Sequence, residues 1–165
     1  MRRILSVFVT FEKWCNNLGA FILVAMMVLV TANVVSRYAF NRPILGTLEF
    51  TEFMIVAAVY LALSYTQRQK GHIDIELVTA RLSVRKKQVC QLVTLLCGLG
   101  LFGIIAWQGI VMTLESYHIQ EVTFGTVEVL EWPFKAFVPF GSILISIRFL
   151  IEVVGTSQCL IREKL

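Results

Sequence analysis

The residues able to do chemistry are few, and the most concentrated group is Arg37, Arg42, Glu49 and Glu52, set within SRYAFNRPILGTLEFTE between two strongly apolar runs. Two guanidinium groups and two carboxylates so placed could hold an ion, pass a proton or pair with one another. Glu49 and Glu52 are three residues apart, so on a helix they share a face, continued by Val56 and Tyr60, that must turn to protein or water. A charge buried at mid-span costs about 2.5–3.5 kcal/mol, less near an interface. Arg37 or Arg42 is the natural countercharge, and solvation of all four in a loop is the alternative reading.

Other chemistries fail on placement. His72 and His118 both fall in polar connections, so no span offers a histidine as an axial haem ligand. No His, Cys or acidic cluster has zinc-binding spacing. Cys15, Cys90, Cys97 and Cys159 contain no C-x-x-C pair and read as packing residues. The first and third apolar runs hold no acid or base, where a self-sufficient ion-coupled transporter needs one. The chain therefore reads as a non-enzyme, with no catalytic or metal site and no cofactor of its own.

The elements that carry these residues are set by composition: the chain is 57% hydrophobic and 16% charged, against about 25% charged in soluble domains. Residues 14–36 and 88–114 are free of charge, and each exceeds the roughly 20 residues that cross a 30 Å hydrocarbon core. The run from Phe53 to Gln67 reaches spanning length if its helix starts near Thr47, with Glu49 and Glu52 in the first turns. A fourth helix opens at Pro133 and ends near Gly155, with Arg148 and Glu152 four residues apart and able to pair. These features predict an all-α integral membrane protein, one membrane domain over residues 1–165, with four transmembrane helices at about 15–36, 47–67, 88–114 and 133–155.

Lysine and arginine gather at residues 2–13, 68–87 and 148–164, which by the positive-inside rule puts both termini in the cytoplasm. Ile4, Val7, Phe8 and Phe11 follow helical spacing and predict a short amphipathic interfacial helix over residues 2–13. Glu12 and Lys13 interrupt the apolar stretch too early for a signal peptide. The net charge of +4 follows from topology and requires no nucleic acid; its partners at the surface are membrane lipids, near the basic 68–87 connection. In the third span Gly100, Gly103, Ala106 and Gly109 recur at steps of three and suggest a close helix contact.

Taken in order, several motifs resemble the small membrane subunit, the DctQ-like or Q component, of tripartite ATP-independent periplasmic (TRAP) transporters. They are Asn33 with Arg37-Tyr38-x-Phe40-Asn41-x-Pro43, then Gly46, Glu49 and Glu52, the loop signature Gly71-His72-Ile73, and Trp132-Pro133 with Pro139 and Gly141. One departure is the lack of a tryptophan just before the glutamate pair, where this chain has residues 45–48, LGTL. The resemblance implies a bacterial inner-membrane complex in which a large multi-span permease subunit holds the solute and sodium sites and a periplasmic solute-binding protein delivers the solute. It further implies uptake of organic anions such as C4-dicarboxylates, sialic acid or keto acids, with the small subunit as scaffold. Arg37, Asn41, Arg42, Pro43, Glu49 and Glu52 are then a structural signature with ion pairing. Gly100, Gly103, Ala106, Gly109, Trp132, Pro133, Pro139 and Gly141 become candidate contacts with the large subunit. The alternative class is a tetraspan anchor or enzyme of a quinone or haem respiratory complex.

Overall fold

The computed structural model describes residues 2–69, 84–125 and 127–162, with side chains described for 6–69, 90–125 and 127–157. The loop signature Gly71, His72 and Ile73 lies outside the described residues. Among the described residues five helices follow in order: α1 (Arg2–Phe40), α2 (Thr47–Arg68), α3 (Val84–His118), the single turn α4 (Trp132–Lys135) and α5 (Phe137–Arg162). Four of them are long and apolar enough to cross a membrane, in agreement with the expected all-α class.

The N-terminal amphipathic segment is not set off from the first span. α1 is one 39-residue helix, because no Pro or Gly stands between residues 2 and 18 to break it, and Glu12 and Lys13 are good helix formers. The helix stops where Asn41 takes a left-handed conformation, φ 54°, and Pro43 cannot continue it. Gly46, at φ 80°, then turns the chain into α2; a side chain there would be strained, and would press on Val127.

The long helices form a layer in the order α1, α2, α5, α3, each packed on its neighbour, with α1 also reaching α5 at Cys15 and Glu12. The two inner helices carry the core. Leu61 and Leu144 enclose Cys15 on one side, while Leu95, Ile145 and Phe149 form a second cluster on the other. Close approaches at small residues draw the layer together: Gly19 lies against Ala58, Gly98 against the Phe149 ring, Gly109 against Pro139 and Gly141 against Tyr60. α1 and α3, at the edges, leave most of their apolar surface uncovered.

α4 exists as a separate turn because Pro139, in the first turn of α5, has no N–H to offer back to Lys135. Between α3 and α4 the chain makes a short hairpin. Thr123 N donates to Val129 O at 2.9 Å, Glu131 N to Glu121 O at 3.0 Å, and Val122 bridges Leu130. Lys135 Nζ closes the base, 2.5 Å from Glu121 and 2.8 Å from Glu131.

Candidate functional site

At the hairpin end the signature residues form a turn held by hydrogen bonds. Asn33 Oδ1 accepts from Ile44 N at 2.8 Å, and Ser36 Oγ donates to Arg42 O at 2.5 Å. Among the described residues the ion pairs are those of Lys135 with Glu121 and Glu131 and of Arg148 with Glu12 and Glu152. The pairing expected of Arg37 or Arg42 with Glu49 or Glu52 is not among them. Arg37, Arg42 and Glu52 are exposed, whereas Glu49 is buried and packs against Gly125 of the hairpin. The reason is steric: the hairpin folds over the start of α2, so Val127 caps Gly46 and Gly125 shields the carboxylate. Phe53 stacks on Phe134 with ring centroids 4.0 Å apart, fixing the hairpin's base to α2.

The Lys135 hydrogen bond holds the Glu121 carboxyl below the usual carboxylate range. A carboxyl depressed in the folded state stabilises above its unfolded value, near pH 4.3, and loses that contribution as pH falls through the folded one. The hairpin is therefore expected to loosen in mild acid. Hydrogen exchange at the Thr123 and Glu131 amides should rise as pH is lowered below about 4 after correction for intrinsic rates, and Lys135→Met should weaken the step.

A second polar group, deeper in the layer, joins three helices. Glu12 of α1 is 1% exposed. Its Oε1 accepts from Ser64 Oγ of α2 at 2.6 Å, and its Oε2 lies 3.8 Å from Arg148 Nη1 of α5. Arg148 Nε donates to Glu152 Oε1 at 2.9 Å, and Gln67 Nε2 to Glu152 Oε2 at 3.0 Å. The arrangement clamps α1 and α2 to α5. Oε2 of Glu12 has no hydrogen-bond donor among the described residues, so Arg148 is the countercharge that makes its burial tolerable.

Of this group the sequence shows the Arg148–Glu152 pair by its spacing. It does not show Glu12, whose place beside Lys13 reads as a surface charge. The signal that could have found it is the face of α1: Phe8, Glu12, Cys15 and Gly19 recur at steps of four, three and four, one side of a helix, and that side is the one facing α2 and α5.

The candidate contact residues divide. Ala106 and Gly109 are buried within the chain, the latter against Pro139, and Gly141 meets Tyr60. Gly100 and Gly103 face open space. A step of three falls about 60° short of a full turn, so the track winds from an open face of α3 to its packed one. Trp132 and Pro133 are half-buried, with Trp132 edge-on to Tyr117.

Comparison with known proteins accords with this architecture. Residues 26–159, from within α1 to the last turns of α5, match the family described as tripartite ATP-independent periplasmic transporters, DctQ component. The C4-dicarboxylate TRAP transporter small permease protein DctQ of Vibrio cholerae is 35% identical over 97 residues, covering 52% of this chain and 42% of that protein. The match thus spans less than half of that relative's length. Transport components, not quinone or haem enzymes, are what these motifs belong to. A multi-pass membrane protein by its four long apolar helices, the chain belongs to the DctQ-component family of TRAP transporters.

Proposed function

We propose that this chain is the small membrane subunit of a sodium-coupled, binding-protein-dependent importer of organic anions, and that it braces a large permease subunit in the bacterial inner membrane. The observation that carries this reading is the family match over residues 26–159, which takes in most of the layer. The large subunit holds solute and sodium, the periplasmic binding protein delivers the solute, and this chain carries no cofactor. Both termini face the cytoplasm, with the hairpin and the Arg37–Arg42 turn on the periplasmic side. C4-dicarboxylates are the first solutes to test, given the name of the Vibrio cholerae relative.

The scaffold role suits the layer's construction. The charged group of Glu12, Arg148 and Glu152 clamps α1, α2 and α5 together. Reconstitution into proteoliposomes tests the proposal. With binding protein, large permease and a sodium gradient, solute uptake should fall at least tenfold when this chain is omitted. Full-rate uptake without it would refute the reading.

A further inference from the structure

The apolar run of α1 is out of step with that of its neighbour. Lys13 and Arg37 bound the uncharged residues 14–36, centred near Ala25, whereas the uncharged part of α2, Phe53 to Gln67, centres on Tyr60. The contacts of Glu12 with Ser64 and of Gly19 with Ala58 place Tyr60 beside the stretch of α1 around residue 17. The two apolar centres are thus about eight residues, or about 12 Å, apart along the helices.

Tilt does not absorb this. Two helices about 10 Å apart and inclined by about 20° shift their levels by only about 4 Å. A bilayer centred on α1 would draw Glu52, Lys135 and the hairpin carboxylates into hydrocarbon, at about 2.5–3.5 kcal/mol for each deep charge. A bilayer centred on α2 and α5 keeps those charges at its surface, draws in the exposed Lys13 of α1 in place of several charges, and leaves the last turns of α1 standing above the hydrocarbon. The second placement is the cheaper one. It leaves exposed apolar side chains, including Val28, Val35 and Phe40, where lipid tails do not reach.

Along that part of α1 runs a shallow, one-sided groove in the helix's own exposed face, lined by Val24, Met27, Val28, Thr31, Val35 and Phe40 among others, all of α1. From Val24 to Phe40 it extends about 24 Å, the length of a helix rather than of a lipid headgroup. Ala32 in its wall permits close backbone approach, and Thr31 offers a hydroxyl across the contact.

We propose that this groove seats a helix of the large permease subunit that rises past the bilayer surface beside α1. The inference rests on the assembly reading above and assigns the contact to α1 rather than to the open small-residue face of α3. The occupant is a helix with an apolar, small-residue face.

Site-specific photocrosslinking in the co-expressed complex tests it, with benzoylphenylalanine at Met27 or Val35 on α1 and at Ile104 or Trp107 on α3. The expected result is adducts with the large subunit at least fivefold more abundant from α1 than from α3, and loss of co-purification in Ala32→Trp but not in Ile104→Trp. If the complex is isolated but crosslinks arise mainly from α3, only to lipid, or to a second copy of this chain, the groove assignment is overturned while the assembly reading stands. If no complex with the large subunit can be isolated from the unsubstituted chain, both fall.

Discussion

Arg148→Met is expected to destabilise the layer by about 3–5 kcal/mol, the cost of leaving a buried carboxylate without its countercharge. Glu12 accepts one hydrogen bond from Ser64, but Oε2 has Arg148 as its nearest cation, and the same guanidinium holds Glu152. Methionine retains the length and apolar stem of the side chain, so the loss is electrostatic rather than a cavity. Thermal unfolding in detergent micelles, followed by circular dichroism or a thiol probe at buried Cys15, measures it. The double variant Glu12→Met with Arg148→Met should recover most of the loss, since an apolar pair of similar volume replaces a buried ion pair at little cost. A double variant no more stable than Arg148→Met alone would mean that Glu12 does not depend on this arginine.

Gly141→Leu is expected to separate α2 from α5 and abolish the folded layer, and even Gly141→Ala should cost about 1–3 kcal/mol by overpacking. A single methyl there would overlap the Tyr60 carbonyl and its Cβ. The backbone of α2 cannot swing aside as a flexible side chain would, and α2 is pinned to α1 on its other face by Gly19 against Ala58. Gly100→Ala and Gly103→Ala provide the contrast, since nothing lies within 4 Å of either position. They should leave stability unchanged or raise it slightly, alanine being the better helix former. Equal losses at Gly100 and Gly141 would show that the α2–α5 contact is not what the glycine protects.

Much of the fold is legible in the sequence because hydropathy and charge act locally. The four spans follow from uncharged length, and the turn from Asn41 to Gly46 follows from residues that set their own backbone angles. Pairings across helices are another matter. The glycine track at steps of three looks like one face, yet Gly100 lies open while Gly109 is packed, since the helical period is longer than three residues. Gly98, outside that track, makes the tighter contact with Phe149. Glu12 escapes for a related reason. A carboxylate next to a lysine at the edge of an apolar run looks solvated, and only the placement of Ser64 and Arg148 on two other helices shows that it is enclosed. Likewise the hairpin that shelters Glu49 is built from residues more than 70 positions further along.

The lateral order of the layer bears on how the chain is made. α1 and α2 are neighbours both in sequence and in space, so they can zip together as soon as the second leaves the translocon. α3 has no such early companion, because its principal contact, α5, is synthesised after it. It must enter the membrane on its own hydrophobicity, which its long uncharged run supplies, and wait there for α5 to slide in between it and α2. Insertion of α5 is therefore the step that joins two separate membrane pieces.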